Sequence, residues 1–292
     1  MAAHLHFEAP TALEYFATLV ADDASLSALE AALAIAQDDL PGIDAQGVLA
    51  EIDALAERLR RRIPADAVPL QRVRLLNHYF FRELGFAGNV NDYYDRRNSY
   101  LPEVLSTRRG IPITLALLYI EFAGQIGLHA SGVSFPGHFL VKLRLHGGAR
   151  PGEVVIDPFD GRSLARGELE ERLAPYRRDH GLADDGSALA LFLQSATPRA
   201  VVARLLRNLK EIHQAARDLP RLLAVLHRLV ILLPGDWRER RDRALVLADL
   251  GRHDEASTDL AAYLAHEVQA EDIAAMRERL ARWQRLPGVR RR

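Results

Sequence analysis

Cysteine is absent from all 292 residues, which excludes disulfides, thiolate metal sites and a cysteine nucleophile. Lysine is nearly absent as well. Lys142 and Lys210 are the two present, and arginine supplies the remaining positive charge. Chemistry built on a lysine base or Schiff base therefore has little to draw on. No apolar run approaches the roughly 20 residues that span a bilayer, so no membrane partner is expected. The opening MAAHLHFEAP lacks a basic region followed by an apolar core, which predicts no secretory signal. The formal net charge is −1, too small for a global field that recruits nucleic acid, and no nucleic-acid motif is present. The terminal VRRR reads as a solvated end. Absence of cysteine suits a reducing compartment, and the cytoplasm is the expected location.

Most of the chain carries helical periodicity. TALEYFATLV, SLSALEAALAIAQ and GVLAEIDALAERLRRR space Ala, Leu and Ile three and four residues apart, with acids and arginines between. Asp23 or Ser25 is a candidate cap for the second of these, Pro41-Gly42 punctuates the turn after it, and Pro64 ends the third. LQRVRLLNHYFFRELGF (70–86) reads as a fourth helix whose aromatic residues belong to the core. The stretch 89–110 then breaks the period. It is polar, rich in tyrosine and long for a connection, and long connections often carry function. Asn98, Ser99, Tyr100 and Arg109 are its candidate binding residues, and Tyr93, Tyr94 and Tyr100 suit either packing or contact. Arg96, Arg97, Arg108 and Arg109 are expected to pair with Asp92, Asp95 and Glu103.

Residues 109 to 161 organise the rest. RGIPITLALLYIEFAGQIGL reads as a helix entered through Gly110, with Pro112 in the first turn, where its missing N–H is no loss. A helix start offers free N–H groups and partial positive charge, which activate a nucleophile and hold an oxyanion. Here the side chains at that place are Ile111, Pro112 and Ile113, and Thr114 carries the one nearby hydroxyl. GVSFPGHFLVKL and VIDPFDG read as strands bearing His138 and Asp157. A hairpin about HGGARPG (146–152) would make these two neighbours, a carboxylate orienting an imidazole. A metal shared by His138, Asp157 and His129 or His146 finds no supporting spacing. His146 is eight residues along one strand from His138, about 26 Å at strand rise. Neither a metal nor a cofactor is implied.

After the core, RSLARGELEERLAPYRR (162–178) reads as a helix capped by Ser163, and DHGLADDGS (179–187) as a linker. The remainder is helical and repeats, since a copy starting at Ala203 is followed by one at Trp237. The offset, 237 − 203 = 34, is the period of tetratricopeptide repeats. Ala244, Gly251, Ala256, Leu260 and Tyr263 fall at small or packing positions of the second copy, while Lys210 and Leu222 occupy positions usually small in the first.

The motifs NSYLPEVLSTRRGIPITLALLY, GVSFPGHFLVKL, VIDPFDG and RDRALVLADLGRHDEASTDLAAYL together resemble the bacterial transglutaminase-like plus tetratricopeptide-repeat proteins, often found under the SirB name. The resemblance covers nearly the whole chain. It implies an α+β fold, mostly helical, with a transglutaminase or papain-like core of one helix packed on a small antiparallel sheet. The organisation it suggests is an N-terminal helical region over 1–88, the core over 89–180 and repeat helices over 188–292. In such enzymes the helix opens as Gly-x-Cys. Counting back from Gly127, 127 − 112 = 15, the resemblance puts Pro112 where the cysteine would stand, with His138 and Asp157 matching the family histidine and aspartate. The expected function is a non-catalytic, transglutaminase-like protein binding a protein or peptide partner. The alternative is a hydrolase or acyltransferase in which His138 and Asp157 activate Thr114, Ser99 or water.

Overall fold

A computed structural model describes residues 10–145, 152–183, 186–267 and 269–285. The opening MAAHLHFEA, the turn 146–151 with His146, Asp184-Asp185 of the linker and the terminal VRRR lie outside the described residues. Helix α1 (Ala12–Leu19) starts at a capping box. The Thr11 hydroxyl takes the Glu14 N–H at 3.2 Å and the Glu14 carboxylate takes the Thr11 N–H at 2.8 Å. Helix α2 (Ala28–Ala36) is capped by Ser27 rather than Asp23 or Ser25, and the Ser25 hydroxyl is engaged by Asp22 instead. Helix α3 (Ala45–Arg60) follows Asp44 as its cap. The single helix expected over 70–86 is two elements, α4 (Pro69–Asn77) and a π-helical segment His78–Glu83. The widened turn brings adjacent aromatics to different partners. Phe80 stacks on Phe86 with centroids 4.4 Å apart and meets Phe122 edge-on, while Phe81 lies along Tyr119.

Next come the short strand β1 (Ala87–Gly88), a 3-10 turn at Arg96–Ser99, α5 (Leu101–Thr107), β2 (Arg109–Gly110) and α6 (Pro112–Gln125). Strands β3 (His129–Phe135), β4 (His138–Leu145), β5 (Gly152–Ile156) and β6 (Ser163–Leu164) form one antiparallel sheet in that order. Phe135 faces His138 across a two-residue Pro136-Gly137 connection, and Gly137 takes φ 68°, a conformation that suits glycine. Ser163 lies in β6, so it does not cap the next helix. Helix α7 (Arg166–Asp179) starts after Ala165, whose N–H is taken by the Glu168 carboxylate at 2.8 Å. Helix α8 (Ser187–Phe192) follows, and then α9 (Pro198–Ala215), α10 (Leu219–Leu232), α11 (Trp237–Asp249), α12 (His253–His266) and α13 (Ile273–Trp283).

The fold divides into two compact units, residues 27–205 and residues 206 onward together with those up to 26. In the first, α6 is the central element. Pro112 through Tyr119 are all buried, and α6 packs on α3, β3 and β4. Leu115, Leu118, Tyr119 and Phe122 are 0% exposed, each contributing about 1.5–3 kcal/mol of burial. Five consecutive β4 residues, Phe139 to Leu143, are buried. Such a run needs cover on both faces. Leu140 joins Leu169, Leu173 and Leu189 from α7 and α8 in one cluster, while α6 lies against the same sheet. Lys142 survives there because its ammonium donates to the Leu193 carbonyl at 2.7 Å.

In the second unit, α10 starts at Leu219 and α12 at His253, and 253 − 219 reproduces the 34-residue period. Ala244, Ala256, Leu260 and Tyr263 are 0% exposed, the packing positions the repeat requires, and Gly251 turns the chain at φ 77°. Lys210 is accommodated by Glu239 at 2.7 Å and Asp242 at 2.6 Å. Helix α1 packs on α10, with the Arg228 guanidinium 5.5 Å from the Phe16 ring centroid.

Candidate functional site

His138 is the first residue of β4 and Asp157 the first beyond β5. The β4–β5 pairing carries Val141 opposite Ile156, which sets the two side chains within reach. His138 Nε2 lies 2.8 Å from Asp157 Oδ1. Two further donors converge on the same carboxylate, Arg172 Nη1 to Oδ2 at 2.8 Å and the Phe159 N–H to Oδ1 at 3.0 Å. Burial alone pushes the Asp157 carboxyl up. The bonds from His138 and Arg172, the His138 charge and the Phe159 N–H outweigh it and hold the carboxyl below its ordinary value. An ionised carboxylate only accepts, so Nε2 carries the hydrogen, and in the neutral form of the ring Nδ1 presents a lone pair. Among the described residues nothing hydrogen-bonds Nδ1, and the His138 side chain is 23% exposed. The ring is thus turned the opposite way from the serine-protease arrangement, in which the carboxylate holds Nδ1. Chemically, the pair can accept a proton or a hydrogen bond at Nδ1.

Arg172 has no signal in the sequence. It lies 15 residues beyond Asp157 in a helix of many charges, and only the docking of α7 against the sheet brings it in. The Asp157 turn is fixed from the other side too. Gly88 N–H donates to the Phe159 carbonyl at 2.7 Å, and β1 pairs with β2, which leads directly into α6. A Cβ on Gly88 would lie 2.1 Å from the Phe159 ring, so this approach requires glycine. The turn carrying Asp157 is thereby tied to the entrance of α6.

At that entrance no reactive side chain is offered. Pro112 is buried in the first turn of α6, and Ile111 and Ile113 are 3% and 1% exposed. Thr114 is 0% exposed, and its hydroxyl is committed locally. It takes the Ile111 N–H at 3.2 Å and reaches the carbonyls of Asn98 at 2.8 Å and Ile111 at 3.0 Å. The expectation that Thr114 serves as a nucleophile meets a buried, hydrogen-bonded residue.

Of the residues proposed for binding, Asn98, Ser99 and Tyr100 are buried, at 4%, 0% and 3% exposure. Asn98 knits the 89–98 connection by donating to the Asp92 and Tyr93 carbonyls and accepting from Asn89. Burial, and then the Asp39 carboxylate, push the Tyr100 hydroxyl above its ordinary value. Without a solvent-facing surface, these three serve the scaffold. Arg109 is exposed and donates to the Gly85 carbonyl at 2.6 Å. The arginines also pair differently from expectation in part. Arg97 meets Asp95, but Arg96 meets Asp39 at 2.6 Å, and Arg108 reaches toward Glu51 and lies over Phe86. His129 sits opposite Arg144 at the far end of the β3–β4 pair from His138. Among the described residues no three His, Cys, Asp or Glu side chains are grouped to hold a metal ion. No helix among them is long and apolar enough to cross a membrane.

Residues 46–207 match the family described as the transglutaminase-like superfamily, and residues 209–281 match the tetratricopeptide repeat. The chain belongs to the transglutaminase-like superfamily, joined to a tetratricopeptide region. A UPF0162 protein of Xylella fastidiosa (strain 9a5c) is 38% identical over 244 residues, 83% of this chain and 85% of its own length. A UPF0162 protein of Pseudomonas aeruginosa is 29% identical over 215 residues, 74% of this chain and 75% of its own. F-box only protein 21 of Homo sapiens is 43% identical over 67 residues, 23% of this chain and 11% of that protein. No solved structure matches the chain.

Proposed function

We propose that this chain is a non-catalytic member of its superfamily that binds a protein or peptide partner in the cytoplasm. The observation that carries the reading is the sealed first turn of α6. Pro112 stands at the start of the helix, its neighbours are buried isoleucines, and the Thr114 hydroxyl is spent on backbone carbonyls. Covalent acyl transfer needs a nucleophile beside the base, and the helix entrance holds none that is exposed. The tetratricopeptide helices support the binding half, because paired helices of this kind present grooves to proteins.

A second reading is favoured by one observation, the unpartnered Nδ1 of His138. A base held by Asp157 can activate water without a covalent intermediate. One experiment separates the two. The purified chain is incubated with a glutamine-containing peptide plus a fluorescent amine, and separately with a peptide library and a nitrophenyl ester. Product formation equal in wild type and His138→Ala is the expected result. A rate that disappears in His138→Ala sinks the non-catalytic reading.

A further inference from the structure

We propose that the loop 89–95 and the turn 157–161 form a docking rim for a basic segment of a partner protein. Val90, Tyr93 and Tyr94 are 76%, 42% and 79% exposed, three of the eight exposed large apolar side chains among the described residues, gathered within five positions. Exposed apolar side chains scattered singly need no explanation, whereas a local concentration marks a contact surface. The rings form a path. Tyr94 meets Tyr93 edge-on with centroids 5.3 Å apart, and Tyr93 lies 6.0 Å from Phe159. Phe159 in turn donates its N–H to Asp157, which holds His138. The path therefore runs from an exposed tip to the carboxylate that holds His138.

Charge selects the partner. The arginines of these segments are engaged by carboxylates: Arg96 by Asp39, Arg97 by Asp95 and Arg162 by Glu168. Among the described residues Asp92 and Asp160 are exposed and enter no ion pair, the Asp160 carboxylate taking only the Arg162 N–H at 2.9 Å; in the sequence they are the neighbours of Tyr93 and Phe159. Exposed tyrosines next to exposed carboxylates favour a cation, because the ring quadrupole and the carboxylates attract it together. An arginine or lysine suits this rim, its aliphatic stem lying on a ring and its head group meeting a carboxylate.

The inference rests on the protein-binding reading only in that the occupant is a peptide, and its test involves no turnover. A fluorescein-labelled hexapeptide of alternating glycine and arginine is titrated with the full chain by fluorescence anisotropy, beside the same peptide with glutamate for arginine. The arginine peptide should bind, and at least tenfold more weakly to Tyr94→Ala and to the Asp92→Asn, Asp160→Asn double variant. Affinity should also fall as salt rises. All three side chains are exposed, and far-UV circular dichroism checks that the variants remain folded. Failure of the arginine peptide to bind wild type, equal affinity in wild type and Tyr94→Ala, or equal affinity for the glutamate peptide overturns the proposal. Turnover dependent on His138 would overturn the non-catalytic reading and leave these affinities to speak for the rim alone.

Discussion

Replacing Asp157 with asparagine tests the geometry of the site in a single step. The carboxylate accepts three hydrogen bonds, from His138, Arg172 and the Phe159 N–H, at 2.8, 2.8 and 3.0 Å. An amide of the same shape has one accepting oxygen and one donating nitrogen. With the oxygen at the Oδ1 position, His138 and Phe159 keep their partner and Arg172 faces an N–H. In the flipped orientation Arg172 is kept, the buried Phe159 N–H is lost and His138 must change tautomer. The first arrangement wins, because the Arg172 side chain is 34% exposed and can turn to water. The loss is one charge-assisted bond, about 1.5–3 kcal/mol, reduced by solvent screening at Arg172 to about 1–2 kcal/mol. The sign with pH is fixed. The Asp157 carboxyl is lower in the folded state than in the unfolded one. Its contribution is thus complete above the unfolded value of about 3.9 and is lost as pH falls through the folded value. Urea unfolding of wild type and Asp157→Asn, followed from pH 7 down to pH 3, should show a gap at neutral pH that narrows once the pH passes below about 4. A gap of zero at pH 7, or one unchanged at pH 3, refutes the reasoning.

Gly88→Ala should destabilise by about 1–3 kcal/mol, since its Cβ would enter the Phe159 ring at 2.1 Å; a thermal unfolding midpoint equal to wild type would contradict the close approach. Thr114→Val removes a fully buried hydroxyl and leaves the Asn98 carbonyl short of its partner, a loss of about 1–3 kcal/mol measurable by denaturant unfolding. In the helical unit, Asp259→Asn keeps one acceptor and loses the other half of the two-point contact with Arg243 at 2.6 and 2.8 Å, and should lower stability by about 1.5–3 kcal/mol as one lost charge-assisted bond. Burial, and then the Arg243 charge, lower the folded-state value for His227. The unfolded chain therefore binds more protons below about pH 6.5, and stability should fall between pH 7 and pH 5. His227→Gln should flatten that slope.

Local chemistry was legible in the sequence wherever it depended on neighbours along the chain. Pro112 marks the start of α6, Pro136-Gly137 the turn into β4, and the 34-residue offset the equivalence of α10 and α12, whose starts differ by that period. The contact of His138 with Asp157 followed from one hairpin, and the chain joins them by the expected strand pairing. What stayed hidden depends on elements brought together from a distance. Arg172 reaches Asp157 only because α7 docks on the sheet, and α1 joins helices almost two hundred residues later through α10. The polar look of Asn98, Ser99 and Tyr100 suggested a surface, yet Asn98 satisfies the backbone of a buried crossing. Polarity in a sequence does not distinguish a group that meets solvent from one that replaces it. The cap of α2 is Ser27 rather than Asp23 or Ser25 for a similar reason, as Asp22 claims the Ser25 hydroxyl.

The start of α6 and the His138–Asp157 pair differ in what the fold asks of them. Proline at the first position of α6 costs the helix nothing, because no intrahelical partner exists for an N–H there. Its ring also extends a buried apolar surface formed by Ile111 and Ile113. The fold therefore needs no reactive side chain at that point. Asp157 is different. It is 4% exposed, receives bonds from a strand, a helix and its own turn, and that turn anchors the β1–β2 pair through Gly88. Removing it would leave a half-buried guanidinium and an imidazole without their acceptor, a loss that no chemistry need be present to register. The presence of the pair is accordingly weak support for catalysis. The Nδ1 of His138, engaged by none of the described residues, is the part that the fold does not require, and it is there that turnover and binding assays bear on function rather than on folding.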